Sequence, residues 1–566
     1  MTSLVKKIKK GKAYYYAVRS ARVDGKPRVV WQKYLGTIET ILEQYNKNPG
    51  VRPAETDLFE AGGVAALLSI ANRLGIVDLI NESIPKREQG PTIGHYILLA
   101  ALNRALAPLS KSKIGDWYND TVLQRLWNFS TDAFTSQNYW NQMDLVPVES
   151  IKNIQDKLAE RARMEFKIDT QPLLFDSTNF FTFIDTHNAR NTIAQRGHNK
   201  QKRTDLRQVN LSLLTTSDFQ IPLFHSLYQG DIPDVKNFPD VAKELLKRHD
   251  KIFGRKKDAT LVFDKGNMSE GNLEQLLHEG LHFVGGVKAD FLPEVFSTPV
   301  EKLQVVPHLP GTKIYEAPVE LLGRECNAVL CYSESFFTEQ LNALTAMMSK
   351  CQDKLKELQA SLIPWTLKDK KKSTGPRPTM AKIRARIKTI LSGQHMKEIF
   401  SVELEKYDDM PYLRYAINSD GLDKLIKQHL GRTLLITNNK ELLPPEVVSL
   451  YRGLEHIEDD FKCMKNRDYL RWQPSFHWTD QKLEVHTWYC VLALLLVTLA
   501  RKVAHEAGLE LSAQALLDDL SSVREVVLLY PDKDNKMSAQ FTLSRMSSRQ
   551  KKLAEAFGIG EILAVG

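Results

Sequence analysis

Residues 171–178 read QPLLFDST, a short apolar run that ends in Asp176. Residues 259–266, ATLVFDKG, repeat the pattern and end in Asp264. Between them, VNLSLLTT (209–216) and IPLFHSLYQG (221–230) read as two further strands, and VKNFPDVAKELLKRH (235–249) reads as a helix. Beyond them lie a helical MSEGNLEQLLHEG (268–280) and a fifth apolar run, LHFVGGVKA (281–289). Three strands in a meander followed by helix, strand, helix and strand predict one mixed α/β sheet. Parallel neighbours bring their C-terminal ends to a common edge, where ligands gather. Either aspartate alone reads equally well as a turn former. Two at one sheet edge read as a candidate site.

A third acid comes from YRGLEHIEDDFKCMK, residues 451–465. Pro444-Pro445-Glu446 upstream suits a first helical turn, where a missing N–H costs nothing. At 100° per residue, Leu450, Leu454, Ile457, Phe461 and Met464 form one apolar stripe. Relative to that stripe Asp459 falls at about 180° and Glu455 at about 140°. Glu458 falls at about 80°, Tyr451 at about 100° and Lys465 at about 60°, so these three line one border at seven-residue spacing. Asp460 lies on the other border. The phasing therefore singles out Glu458. Three converging carboxylates offer oxygen ligands, which suit Mg²⁺ or Mn²⁺ rather than zinc.

The flanking sequence predicts further regions. Residues 13–35 run aromatic and β-branched on both sides of Asp24-Gly25, the pattern of a β-hairpin. Residues 61–127 carry helical periodicity, and residues 290–430 break the strand–helix alternation, which predicts an insertion with β-like pieces and a long helix from about 335 to 362. The segments are 1–60, 61–165, 166–289, 290–430, 431–505 and 506–566, the last expected to be helical. Residues 369–380 are the expected disordered loop.

The chain has 566 residues, 43% hydrophobic and 26% charged, which is the composition of a globular protein of several domains. Five cysteines form no CxxC pair, against a zinc ribbon or a disulfide scaffold and for a reducing cytoplasm. The lysine-rich N-terminus lacks the apolar run of a signal peptide. WYCVLALLLVTLA (488–500) is too short to span a bilayer and reads as a buried helix. Of the net charge of +9, residues 1–37 carry +9 and residues 368–388 carry +8, leaving −8 for the rest. Two basic segments on an acidic body fit a phosphate-rich partner. In TMAKIRARIKTIL (379–391), Met380, Ile383, Ile387 and Ile390 share a face, while Lys382, Arg386 and Lys388 point away and are candidate DNA contacts.

HEGLH (278–282) matches a zinc-protease pattern, but Gly280 interrupts the helix that chemistry needs, so a helix end and a strand start explain it. RGHNKQKR (196–203) reads either as a phosphate-contacting loop or as an exposed connection. Trp365 and the leucine-rich run 491–499 read as core.

LLFDSTNF, RGHNKQKRTDLRQVNLSLL (196–214), LVFDKGNMSEGNLEQL, YRGLEHIEDDFKCMK and PSFHWTDQKLEVHTWYCVLALLL (474–496) together resemble the DDE transposases of bacterial insertion sequences, with YLGTIE (34–39) and LSKSKIGDWYND (109–120) also fitting. The spacing fits as well: 88 residues between the aspartates and 194 to the glutamate. Relatives carry a tyrosine-arginine-glutamate-lysine signature; Tyr451, Glu458 and Lys465 match it, while the arginine position is Leu454, with Arg452 beside it at another phase. The resemblance implies a ribonuclease-H-like mixed-sheet core interrupted by a β-rich insertion. It implies Asp176, Asp264 and Glu458 as catalytic residues holding two Mg²⁺ (Mn²⁺ substituting), and Tyr451, Arg452 and Lys465 as DNA contacts. It further implies terminal inverted repeats and target DNA as partners, a homodimer or larger assembly, and a bacterial cytoplasmic, nucleoid-associated protein with no membrane. A metal-dependent nuclease of the same fold, or a domesticated DNA-binding protein with a dead site, would share much of this pattern.

Overall fold

The computed structural model describes residues 2–9, 12–23, 26–40, 53–85, 89–254, 259–366, 378–407, 410–531 and 537–564. They form two compact units: Met1–Ser69, Gly115–Thr131 and Glu506–Gly566 in one, Ile70–Ile114 and Asp132–His505 in the other.

The larger unit is built on a nine-stranded sheet. Its strands in chain order are β1 (Leu173–Thr182), β2 (Arg207–Thr216), β3 (Pro222–Gln229), β4 (Thr260–Phe263), β5 (His282–Val287), β6 (Gln304–Val305), β7 (Thr312–Leu321), β8 (Arg324–Ser333) and β9 (Arg432–Thr437). Their spatial order is β6-β7-β8-β9-β5-β4-β1-β2-β3. The meander β1-β2-β3 is antiparallel, while β4 is parallel to both β1 and β5. All five runs expected from 171–289 are present. Successive side chains along a strand face opposite ways. Leu173 and Phe175 of β1 therefore join a core with Phe238, Leu245, Phe263, Leu273 and Phe283, under the helices Asp234–Phe253 and Glu270–His278. Leu174 points to the other face and meets the helix Pro444–Lys465 at Gly453, where a Cβ would come within 3.2 Å of a Leu174 methyl.

Three differences from the sequence reading stand out. First, β1 does not end at Asp176 but continues to Thr182, because STNFFT keeps strand-forming residues and pairs along its whole length with β2. Second, the β-like pieces of the expected insertion are not a sheet apart: β7 and β8 form a hairpin that pairs through β9 onto the main sheet. The remainder, the helices Glu334–Thr366, Met380–Ile390 and Ser419–Gln428 and the hairpin Phe400–Tyr407/Met410–Ile417, has its own small core around Leu355, Met396, Ile399 and Phe400. Ile383 is buried in a neighbouring cluster with Leu358, Leu362 and Leu413, and Lys382, Arg386 and Lys388 are exposed as the phasing expects. Third, the apolar run at 488–500 belongs to a 27-residue helix, Asp480–Glu506. It is the one single helix among the described residues long and apolar enough to cross a membrane, yet its apolar window is 94% buried inside the protein. Residues 367–377, most of the expected disordered loop, lie outside the described residues.

In the smaller unit, Thr2–Lys9, Lys12–Val23 and Lys26–Gly36 form an antiparallel sheet; the Asp24-Gly25 turn itself lies outside the described residues. The C-terminal region is not wholly helical. Arg524–Pro531 and Met537–Leu543 pair as a hairpin, and Glu55–Glu60 adds a third strand. REVVLLYP is β-branched and apolar, and strand pairing suits it better than a helix does.

Ile457 is fully buried in the helix facing β1, one residue from Glu458. Ile457→Ala is expected to lower unfolding free energy by about 2–5 kcal/mol, read by urea denaturation with an unchanged slope.

Candidate active site

Phe175 of β1 is the parallel partner of Phe263 of β4, so Asp176 and Asp264, one residue further on, stand side by side. Asp176 Oδ1 accepts from its neighbour, Ser177 N, at 2.8 Å. Asp264 caps the short turn Lys265–Asn267, accepting from Gly266 N at 3.5 Å. Its other oxygen accepts from the Tyr451 hydroxyl at 2.8 Å. The helix Pro444–Lys465 thus lays Tyr451 against β4 and β5. Gly286 makes room for it, since a Cβ there would collide with the phenol oxygen. Two turns further along, Glu458 is exposed. At the helix end Lys465 Nζ donates to Thr178 Oγ1 at 2.6 Å and lies 5.3 Å from the centre of the Phe180 ring. Thr178 shares a strand face with Asp176.

Burial pushes the Asp176 carboxyl up to about 7, and the charges of Asp264, Glu458 and Asp234 push the same way. The three expected acids are therefore electrostatically coupled. Burial and then Asp264 raise the Tyr451 phenol, so it stays a donor. Burial and then Lys200 lower Lys465, with Asp176 opposing. Lys200 belongs to the loop 196–203, so that loop reaches the neighbourhood of the site. Arg203 of the same loop is instead paired with Asp205.

The structure does not bring every candidate here. Arg452 turns to β7 and β8, donating to Thr312 Oγ1 at 3.0 Å and lying near Cys331. Lys382, Arg386 and Lys388 lie on the helix Met380–Ile390 in the separate small core. His278 ends a helix and His282 opens β5, with Gly280 at φ +71° between them. The phasing placed Glu458 at a buried edge, but the buried acid of this helix is Asp460. Burial carries Asp460 to about 7 against the opposing charge of Arg501. The buried side of the helix is wider than five residues suggested: it includes Asp460.

Sequence reasoning missed Asp234, which opens the helix Asp234–Phe253 and accepts from the Tyr228 hydroxyl at 2.6 Å. Its signal is an acid directly after Pro233, the start of a helix. Thr178 and Gly286 carry no signal that separates them from ordinary strand residues.

All-oxygen donors around accumulated negative charge suit a hard divalent cation. Among the described residues no three His, Cys, Asp or Glu side chains stand close enough to form a finished cage. The residues fit such an ion by donor type and charge, with Asp176 and Asp264 as the fixed part.

A mixed α/β sheet thus carries carboxylates on and just beyond adjacent parallel strands and on the helix across them. Residues 169–496 match the transposase DDE domain, more than half of the chain, and the protein belongs to that family. A solved structure of the piggyBac transposase synaptic complex with hairpin DNA is similar over 83% of this chain and 82% of that one, at 10% identity and a TM-score of 0.34. No curated protein sequence matches the chain.

Because the folded Asp176 carboxyl titrates above its unfolded value, the stability it contributes is complete below about pH 4 and is lost as pH rises through about 7. Without divalent cations, Asp176→Asn is expected to melt higher than the parent at pH 8 and alike at pH 4, by about 2–4 °C per kcal/mol regained. Added Mg²⁺ should raise the parent's melting temperature at pH 8 and leave that of Asp176→Asn nearly unmoved; calorimetry reads both.

Proposed function

We propose that this transposase-family chain cuts DNA at the ends of an insertion sequence and joins the freed 3′-hydroxyls to target DNA. One observation carries the reading: the carboxylates of Asp176, Asp264 and Glu458, from two adjacent parallel strands and the facing helix, are coupled at Asp176. They would hold two Mg²⁺, with Mn²⁺ substituting. Such a pair activates the attacking water or 3′-hydroxyl and stabilises the leaving oxygen in an in-line displacement. The order β3-β2-β1-β4-β5, with β1, β4 and β5 parallel, supports a ribonuclease-H-like core interrupted between β5 and β9.

The chain's own residues have separable tasks. Tyr451 fixes the orientation of Asp264 by donating to one oxygen, while the other accepts only the long 3.5 Å bond from Gly266 N and keeps lone-pair capacity for a ligand. Gly286 permits that approach. Lys465, pinned by Thr178, holds a cation on the Asp176 side, where a phosphodiester brings negative charge. Asp176 must shed its proton to bind a cation, and the burial that raises it also keeps water from competing for the carboxylate. Residues 1–165, the interruption and the C-terminal region would supply DNA binding and the pairing of ends in a dimer or larger assembly. A bacterial cytoplasm, beside the nucleoid, suits these tasks.

Asp176→Ala, Asp264→Ala and Glu458→Ala should each drop Mg²⁺-dependent cleavage and strand joining of an end-containing duplex to background while DNA binding persists. Tyr451→Phe should retain them at about 10- to 100-fold lower rate. Asp459→Ala and Glu455→Ala should cut nearly normally. A dead Asp459→Ala beside an active Glu458→Ala would remove Glu458 from the site.

The exposed Lys382, Arg386 and Lys388 support a sequence-independent DNA clamp. Replacing all three with Ala should weaken binding of any duplex and flatten the dependence of log affinity on log salt by roughly 0.9 per lost phosphate contact. An unchanged slope would leave these residues as solvated charge.

A further inference from the structure

The segment that follows the carboxylate helix alternates in a way that folding alone does not require. Ser475 and His477 are buried, at 0% and 3% exposure, while Phe476 and Trp478 are 54% and 58% exposed. The buried pair is anchored firmly. Ser475 Oγ and His477 Nδ1 are 2.7 Å apart, and His477 Nε2 is 3.0 Å from Lys111 Nζ, which also donates to the Tyr489 hydroxyl at 3.1 Å. Ser475 O accepts from Phe183 N at 2.8 Å, immediately past the end of β1. Phe183 is itself 42% exposed, and its ring lies 5.8 Å from that of Phe476. Three large aromatic side chains are therefore held out in solvent by a segment that has no freedom to fold them away. A soluble protein keeps such a patch for a partner.

The partner's charge is legible nearby. Asn188 Nδ2 and Asn191 Nδ2 bond the carbonyls of Trp478 and His477, so the loop that starts at Phe183 passes beside the patch. Residues 183–203 carry Arg190, Arg196, Lys200, Lys202 and Arg203 against Asp185 alone. At its far end Lys200 reaches the neighbourhood of Lys465 and Asp176. One basic loop thus links the patch to the carboxylates. Along β1 the separation from Asp176 to Phe183 is roughly 23 Å, or about seven nucleotides of stacked strand.

We propose that Phe183, Phe476 and Trp478 form a stacking platform for unpaired bases of the DNA strand whose phosphate occupies the carboxylate site. Aromatic faces accept any base, and the loop cations track its phosphates. The inference rests on the reading that DNA reaches Asp176. It adds a requirement for locally unpaired DNA several nucleotides from the cut.

The test uses the full chain with two probes, a single-stranded dT20 oligonucleotide and a 20-base-pair duplex, read by fluorescence anisotropy over a salt series. Phe476→Ala combined with Trp478→Ala should weaken dT20 binding about 5- to 100-fold at an unchanged salt slope, with duplex binding little altered. Phe476→Tyr combined with Trp478→Phe should restore it. Should the alanine pair unfold, photocrosslinking of the unaltered protein to an oligonucleotide carrying 5-iodouracil should map to residues 474–479 or to Phe183. Unchanged dT20 affinity, or crosslinks only elsewhere, overturns the platform. A parent dimer that the alanine pair splits without loss of dT20 binding gives the patch to a second copy of the chain. Failure of both probes to bind the parent would instead overturn the reading that this chain handles DNA.

Discussion

Asp176 and Asp264 stand next to each other because β1 and β4 run parallel with Phe175 opposite Phe263. Two carboxylates so placed repel, and burial of one makes the repulsion dearer. Most of the site follows from how that repulsion is managed. Tyr451 offers a hydrogen bond to Asp264 without neutralising it. Lys465 donates a hydrogen bond to Thr178 rather than pairing directly with Asp176. Glu458 and Asp234 add further negative charge instead of relieving it. A protein selected only for stability would put an arginine here. The charge is answered only in part, by Lys465, and the donor set suits a hard divalent cation.

The helix that delivers Tyr451, Glu458 and Lys465 must lie close to the sheet for this to work. Gly453 lets the helix backbone approach Leu174, and Gly286 lets the phenol lie on β5. Ile457, Leu454, Phe461 and Met464 bury the facing stripe. The packing thereby fixes the rotation of the helix, and rotation decides which acid faces the aspartates. Asp459, on the outer side, spends its charge on an exposed pair with Lys462, an interaction worth little to stability.

The strands and helices of 171–289 were legible because their apolar runs are short, bounded and of distinct period. Asp176, Asp264 and Glu458 were singled out through their strand and helix positions together with the transposase resemblance, and the fold puts the two aspartates at adjacent parallel strands. What remained hidden has physical reasons. The pairing of β7 and β8 onto the main sheet depends on contacts between residues a hundred positions apart, as between Leu330 and Leu434, and no local pattern encodes such a partner. The burial of Asp460 depends on tertiary surroundings, Arg501 among them, which a single-helix projection does not contain. Asp234 looked like one acid among many at a helix start; only the folded chain brings its charge to Asp176. The strand Arg524–Pro531 was lost because it follows the helix Ala513–Ser521 closely and its partners, Met537–Leu543 and the distant Glu55–Glu60, carry no local signal of the pairing.

The contrast between Asp460 and Glu458 bears on how such a site is kept open. Both lie on one helix, two residues apart. Asp460 is buried, and the charge of Arg501 opposes the effect of that burial, so its charge is partly answered from within the protein. Glu458 is exposed, and its charge bears unfavourably on Asp176 and favourably on Lys462 of its own helix. An exposed acid whose charge pushes the buried Asp176 carboxyl up adds oxygen donors beside the two aspartates, a donor set that suits a hard divalent cation.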